Sequence, residues 1–401
     1  MEKIYFFDNY QTTPLSEKVK EAIKNELNNW LLPYRFIKQG VERQKLIDES
    51  KETILKSLNN IDDYNISFVN DGALANALII KSVVKKLKKK NPNIELITEK
   101  ISCPSIISTY KELEKEGIKV HYISVDNKGN INLKELKEKL NENTALVSIT
   151  HINHITGTIQ NAEEIYKIVK NNSNALIHLN AQWSYLKVPI DLKSYKFDFL
   201  TISAYKIHGP MISSIIWKEN ANYENILIGK SFESLDKYPN IPYIAGFKVA
   251  VEEKMENNQW KKDNEKMKEL RNYLWKLISE NIDETELIGP NLNENRDVAN
   301  LLVLFKRIEG ESIYYDLSFD NIIVSTTSAC AHENLQANYV ILALGKRHED
   351  SHGSLRFTFS KMNTKEEVDF LFEKLKASVK RIRKITAYTP DYDYEKIKKK
   401  Q

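Results

Sequence analysis

From about Asn65 onward, short apolar runs alternate with helix-like stretches, and few folds accommodate that order. The strand-like runs are residues 66–69, 95–98, 120–125, 145–150, 175–179, 199–203 and 215–217. Between them lie helix-like stretches at 73–89, 105–116, 133–140 and 162–169. A connection long enough to hold a helix lets the next strand run parallel to the last. Strands that are mostly apolar are buried on both faces. The pattern therefore predicts an α/β fold with a large, mostly parallel seven-stranded sheet covered by helices. In such sheets ligands bind beyond the carboxyl ends of the strands, so the turns there are the first place to look for chemistry.

The pattern changes after about Glu252. A long charged helix is expected from residue 260 to about 278, followed by strands at 301–305, 322–325 and 355–359. A closing helix starts at Asn363 or Thr364, where Thr364 and Glu367 have the spacing of a capping box. These elements make a second, smaller C-terminal α/β unit. At the other end, residues 4–7 read as a strand and 8–14 as a polar turn. Val19, Ala22, Ile23, Leu27, Trp30 and Leu31 then recur at helical spacing. The expected division is a large domain over residues 15–256 and a small one formed by 1–14 with 257–401, for which 401 residues leave room. Residues 386–401 are polar and expected to fray.

Charge excludes one class of partner. With 59 basic and 55 acidic residues the net charge is +4, too balanced for a nucleic-acid binder. The lysine runs at 85–90 and 398–400 read as solvated faces. Two cysteines, Cys103 and Cys330, make no disulfide framework, which points to a reducing, cytoplasmic setting. The first residues are charged and lead into a strand, unlike a signal peptide, and no window of 18 apolar residues suggests a membrane span.

Within this frame one lysine stands out. The mostly apolar run 197–202 leads into Ser203-Ala204-Tyr205-Lys206-Ile207-His208-Gly209-Pro210, a buried strand ending in a turn with Lys206 where the strand stops. A partly desolvated amine has a depressed pKa and attacks carbonyls. Enzymes that use pyridoxal phosphate (PLP) hold the cofactor's aldehyde through such a lysine. Taken alone, Cys330 reads as a small buried hydrophobe beside Ala329. Arg356, in Leu355-Arg356-Phe357, taken alone reads as an ion-pair partner. Cys330-Ala331-His332 and His151-Ile152-Asn153-His154 match no strong zinc spacing, so no metal is expected.

Four segments together resemble the NifS/IscS group of cysteine desulfurases, within the class V aminotransferase family. They are Asp8…Thr12-Thr13-Pro14, the segment from Ile190-Asp191 through Ser203-x-x-Lys206 to Gly209-Pro210, Ser325-Thr326-Thr327-Ser328-Ala329-Cys330 with 339–345 after it, and His352-Gly353-Ser354-Leu355-Arg356-Phe357. The resemblance covers nearly the whole chain. It implies the PLP-dependent transferase fold of type I, PLP as cofactor on Lys206, and Arg356 on the carboxylate of L-cysteine or a similar small amino acid. It also implies that Cys330 takes the substrate sulfur as a persulfide, alanine leaves, and a protein acceptor receives the sulfur for iron–sulfur clusters or thio-cofactors. The polar loop 331–338 suits a cysteine that travels from cofactor to partner. A homodimer with each active site at the subunit boundary is implied as well.

The resemblance also marks where this chain differs, and the differences gather at the cofactor. Asn180 stands where the family has an aspartate on the pyridine nitrogen, so the ring is expected to be a weaker electron sink. The family's glutamine for the phenolic oxygen falls at Trp183, with Gln182 adjacent; its stacking histidine falls at Cys103. His154 replaces an asparagine, Tyr205 a histidine, and Tyr238 a threonine lent by the neighbouring subunit. Asp71-Gly72-Ala73-Leu74 replaces the phosphate-binding Ser-Gly-Ala-Thr, so Gly72 and Ala73 offer backbone N–H groups beside a repelling carboxylate. Ser203 is kept. Three readings follow: a divergent cysteine desulfurase, another PLP lyase or transferase of the same fold, and a non-catalytic relative serving as a sulfur-relay or assembly subunit. Cys103, if its thiol faces the ligand pocket, is a candidate to meet the Cys330 loop; otherwise it is a filler beside Pro104.

Overall fold

A computed structural model describes residues 3–34, 36–60, 62–218, 224–225, 230–232, 235, 238–327 and 337–385. In chain order its elements begin with β1 (Tyr5–Phe6), α1 (Glu17–Leu27), α2 (Lys38–Ser57), β2 (Tyr64–Val69), α3 (Gly72–Lys88), β3 (Glu95–Glu99) and α4 (Pro104–Lys115). Next come β4 (Lys119–Ile123), α5 (Leu133–Lys139), β5 (Thr144–Thr150), α6 (Ala162–Asn172), β6 (Leu176–Asn180), β7 (Phe199–Ser203) and β8 (Ser213–Lys218). A short pair, β9 (Glu224–Asn225) and β10 (Lys230–Ser231), precedes α7 (Ile241–Met255) and α8 (Gln259–Asn281). The rest is β11 (Thr285–Leu287), β12 (Asn300–Phe305), α9 (Gly310–Ser318), β13 (Ile322–Ile323), β14 (Ser325–Thr326), α10 (Tyr339–Ala343), α11 (His348–His352), β15 (Ser354–Thr358) and α12 (Lys365–Ile385).

The seven-stranded sheet has the order β2-β8-β7-β6-β5-β3-β4. β7, β6, β5, β3 and β4 are parallel, and β8 runs antiparallel to both of its neighbours. Side chains alternate between two cores, one on each face. Ile216 of β8 packs with Leu200, Ile202 and Leu179, while Ile215 and Trp217 pack with Phe199, Leu96 and Leu146. Each such fully buried side chain stabilises the sheet by roughly 1.5–3 kcal/mol. Helices supply the other half of both cores, which is why the strands are apolar on both faces.

Two compact units emerge, one of residues 10–154 with 158–264, the other of 1–9, 155–157 and 265–401. Within the larger unit, α1 and α2 both pack on α7. Residues 10–14, expected in the small domain, belong to the larger unit, because Thr13 is bonded to the turn after β7. Residues 257–264 also stay with it: Lys254 pairs with Asp263 at 2.6 Å, and Asn264 donates to the Lys187 carbonyl at 2.8 Å. The smaller unit is built on an antiparallel sheet in the order β11-β12-β15-β14, with β1 and β13 paired in parallel beside it. Residues 155–157 are held there, since Asp297 N donates to the Gly157 carbonyl and Asn300 to the Ile155 carbonyl.

Two expectations need correction. α1 stops at Leu27, and Leu27 and Trp30 are 66% and 85% exposed, so the apolar spacing toward Leu31 marks surface and not a buried helix face. The single strand expected at 322–325 is two, because the backbone turns from β1 to β15 at Val324.

The capping box at α12 is present. Glu367 N donates to Thr364 Oγ1 at 3.3 Å, and Thr364 N donates to Glu367 Oε2 at 3.4 Å. Thr364→Ala leaves the Glu367 amide without its side-chain acceptor and is expected to lower stability by about 1 kcal/mol. A urea titration followed by helical circular dichroism measures it, and an unchanged midpoint would show that the cap is dispensable.

Candidate active site

Register sets the floor of the site. Thr150 of β5 lies opposite Asn180 of β6, and Asn180 opposite Thr201 of β7. The carboxyl ends of these strands therefore finish side by side, and the turns after them bring His151, Gln182 and Lys206 to one edge. After β7 the chain makes a single 3-10 turn, Ala204–Lys206. Gly209 then folds back so closely that a Cβ would sit 2.9 Å from the Ala204 carbonyl oxygen. His208 has φ of 68°, a conformation unusual for a side chain larger than glycine's. Residues 13–16 hold it there. Thr13 N donates to the Tyr205 carbonyl at 2.9 Å, His208 N to Thr13 Oγ1 at 2.8 Å, and Ser16 N to the His208 carbonyl at 3.2 Å.

Lys206 is partly buried at this turn, and its amine points at backbone. Nζ donates to the Tyr10 carbonyl and, at 2.7 Å, to the Gln11 carbonyl. It also lies 5.3 Å from the Trp183 ring centre and 4.7 Å from that of Tyr205. Carbonyl oxygens accept from such an amine, and ring faces attract its positive charge. Tyr10, Gln11 and Trp183 were not singled out as lysine partners from the sequence. Two act through backbone atoms, which every residue has, so no side-chain signal could have found them.

The cofactor-lining candidates largely bond to one another. Asn180, fully buried, donates from Nδ2 to Cys103 Sγ at 3.0 Å, and its Oδ1 accepts from Gln182 Nε2 at 3.0 Å. Gln182 Oε1 accepts from Ser203 Oγ at 3.1 Å and from the Tyr205 hydroxyl at 3.4 Å. Cys103 Sγ also lies 3.5 Å from Asn76 Nδ2 and 3.3 Å from Ser105 Oγ. Burial pushes the Cys103 thiol up from its ordinary value, so it stays protonated near neutrality. Gly72 opens α3 beneath Gln182, and Asp71 caps that helix by accepting from Leu74 N at 2.8 Å.

Other expected site residues make different contacts or stand exposed. Ala73 is exposed on α3, and Tyr238 is 72% exposed. His154 sets its ring 5.6 Å from that of Trp183, while His151 Nδ1 pairs with Ser184 Oγ at 3.0 Å. In the smaller unit Arg356 pairs with Asp8 at 2.9 Å and donates to Ser325 Oγ at 3.0 Å, the ion-pair reading of this arginine. Cys330, with the loop 328–336, lies outside the described residues.

Glu99 was not anticipated. It ends β3, is 1% exposed, and accepts from Thr150 N at 2.8 Å. Burial raises its pKa from 4.5 to about 7, although hydrogen bonds from Thr150 and Ser102 oppose the shift. Burial also lowers His151 to about 4 and His178 to about 3, so both rings are neutral at pH 7. Between pH 4.5 and about 7 the unfolded chain releases the Glu99 proton and the folded chain keeps it. Its stabilising contribution is thus complete below the lower value and is lost as pH rises through the upper. Glu99→Gln keeps the shape without titrating. Relative to the parent, it is expected to gain stability steadily from pH 4.5 to about 7 and to level off above, in thermal melts across that range. Parallel melting profiles would show that Glu99 ionises in place.

Residues 5–371 match the aminotransferase class-V family. Cysteine desulfurase IscS of Clostridium botulinum is 32% identical over 403 aligned positions, covering all of both chains. Cysteine desulfurase IscS 1 of Archaeoglobus fulgidus is 31% identical, covering 95% of this chain and 98% of the relative. A solved NifS-like protein superposes with a TM-score of 0.85 at 26% identity, covering 94% of this chain and all of that one. These relatives share the type I fold of PLP-dependent enzymes, as the resemblance of the four segments implied. The chain belongs to the class V aminotransferase family, among the cysteine desulfurases of the IscS and NifS group.

Proposed function

We propose that this chain is a PLP-dependent cysteine desulfurase, which takes sulfur from L-cysteine, releases alanine and carries the sulfur on Cys330 to a protein acceptor. The observation that carries this reading is the position of Lys206 on the turn after β7, with Asn180, Ser203 and Tyr205 gathered at the same sheet edge. Kinship along the full chain with cysteine desulfurases supports it.

The side chains present fit the cofactor. Ser203 and Tyr205 aim their hydroxyls at one oxygen position beside Gly72, where a Cβ would not fit, and that position suits a phosphate oxygen. Lys206 supplies the amine. Asn180 Nδ2 is a donor and suits an unprotonated ring nitrogen. When bound, PLP supplies an electron sink for the substrate's α-carbon, and a weaker one beside an amide than beside a carboxylate. Arg356 holds the substrate carboxylate through its planar fork, exchanging Asp8 for it. Cys330, as thiolate, attacks the substrate sulfur. The carbon–sulfur bond breaks with its electron pair left on carbon, a proton completes alanine, and the sulfur remains on Cys330 as a persulfide. An acceptor thiol then takes it, toward iron–sulfur clusters or thio-cofactors.

The active form is a homodimer. Leu27, Trp30, Tyr34, Phe36, Ile37 and Val41 are all exposed at the end of α1 and the start of α2, with Phe36 at 97%. Apolar side chains gathered on one stretch suit a second copy better than water. Sedimentation at micromolar concentration is expected to give a dimer that Trp30→Ser with Phe36→Ser weakens at least about tenfold. A monomeric parent would refute it. Among the described residues no helix is long and apolar enough to cross a membrane, in keeping with a cytoplasmic site of action.

A non-catalytic relay subunit is the competing reading, and the observation on its side is that the Lys206 ammonium is already bonded to Tyr10 and Gln11. An absorbance spectrum decides between them. The protein with PLP is expected to show a band near about 400 nm that L-cysteine shifts and Lys206→Ala removes. Sulfide and alanine should form in equal amounts, and Cys330→Ala should abolish the persulfide. Arg356→Ala should raise KM for L-cysteine by about ten- to a hundredfold, the loss of one or two charge-assisted hydrogen bonds. No band in excess PLP would favour the relay subunit.

A further inference from the structure

Gln182 touches both ends of the polar pocket. Its carboxamide oxygen sits where the Ser203 and Tyr205 hydroxyls converge, at 3.1 and 3.4 Å, and Ser203 is itself backed by Ser213 at 2.7 Å. Its carboxamide nitrogen donates to Asn180 Oδ1 at 3.0 Å. The side chain is 4% exposed, and a Cβ on Gly72 would fall 1.8 Å from its oxygen. The glycine at 72 therefore leaves room for Gln182 itself. Hydroxyl donors converging on one oxygen suit a neutral carbonyl as well as a phosphate, and here the chain supplies the carbonyl.

We propose that Gln182 is an internal competitor for the cofactor's phosphate group: its carboxamide holds the oxygen seat made by Ser203 and Tyr205 above Gly72, and phosphate enters as Gln182 leaves. This rests on the PLP reading above. Local charge favours the competitor. Asp71, next to Gly72, keeps its side-chain oxygen on Leu74 N at 2.8 Å, so a dianion arriving beside it meets a carboxylate that the neutral carboxamide does not feel. The same side chain couples the two ends of the cofactor. When Gln182 leaves Ser203 and Tyr205 it also gives up its side-chain bond to Asn180 Oδ1, which keeps only the Gln182 backbone N–H at 3.3 Å, so filling the phosphate seat alters the group set aside for the ring nitrogen. Affinity for PLP is accordingly lowered by the fraction of time Gln182 is in place.

The test uses the full chain freed of cofactor, titrated with PLP and, in parallel, with pyridoxal, which lacks the phosphate. Binding is read from the band near about 400 nm and from equilibrium dialysis. Gln182→Ala is expected to bind PLP at least about tenfold more tightly than the parent, a change of about 1.4 kcal/mol, with a smaller gain for pyridoxal. Gln182→Met, similar in size but unable to hold the two hydroxyls, should move in the same direction and carries the test should the alanine variant not fold. Equal or weaker PLP binding in both variants overturns the proposal and makes Gln182 a ligand of the cofactor. Equal gains for PLP and pyridoxal overturn it too, because Gln182 would then only fill space. A parent that binds PLP and desulfurates cysteine, with variants unchanged, sinks this inference alone. Absence of Lys206-dependent binding in parent and variants sinks it together with the PLP reading.

Discussion

Residues 10–16 lie strapped across the turn after β7, and the candidate site depends on that clasp. Thr13 bonds both the Tyr205 carbonyl and the His208 amide, and His208 Nδ1 pairs with the Pro14 carbonyl at 2.8 Å. Each bond is worth only about 0.5–1.5 kcal/mol net. Together they hold His208 at positive φ and fix the direction in which Lys206 leaves the sheet. The contacts join residues nearly two hundred positions apart, so this edge is complete only when the first turn of the chain is in place. The opening motif at 8–14 therefore has a structural duty at the lysine turn, separate from any contact with a ligand.

Inside that clasp the side chains that bond Asn180 are uncharged. Asn180 is fully buried, and so is the Cys103 thiol that its amide meets. A carboxylate at 180 in the same surroundings would need a cation to offset its desolvation, and the groups it touches are a thiol, an amide and backbone. Asn180 and Cys103 thus make sense as a pair, since each is tolerable because the other is uncharged. The raised Cys103 pKa follows from the same burial. A thiol that stays protonated is a poor nucleophile, so Cys103 makes part of the wall.

The fold was legible because it rests on apolar runs that must be buried on both faces. Seven strands were placed within about two residues of where they lie, and the Thr364–Glu367 cap was read correctly from its spacing. α2 and α7 escaped notice. Gly40, Arg43 and Ser50 dilute the buried face of α2, and α7 has a proline, Pro242, in its first turn and Gly246 in its middle. In the site, the motifs group Lys206, Asn180, Ser203, Tyr205, Gln182 and Cys103 as expected neighbours of one ligand. They did not show that these would satisfy one another. Which hydroxyl a carboxamide meets depends on rotamer and register, at a scale finer than motif spacing. The pairing of Arg356 with Asp8 was open in the same way, because an arginine in a strand reads alike whether it serves a substrate or a neighbour.

Lys206 joins these two levels, the clasp and the uncharged group around Asn180. As an ammonium it bonds the Tyr10 and Gln11 carbonyls and so anchors the strap that positions it. As a nucleophile toward an aldehyde it must lose a proton, and with it the charge that makes those bonds strong, each worth about 1.5–3 kcal/mol. The two roles oppose each other. Reaction at Lys206 gives up part of what holds residues 10 and 11. A cofactor that binds here works against two internal partners at once, the backbone carbonyls at the lysine and the Gln182 carboxamide at the hydroxyls. Its affinity is the difference between what it offers each end of the pocket and what the chain already supplies.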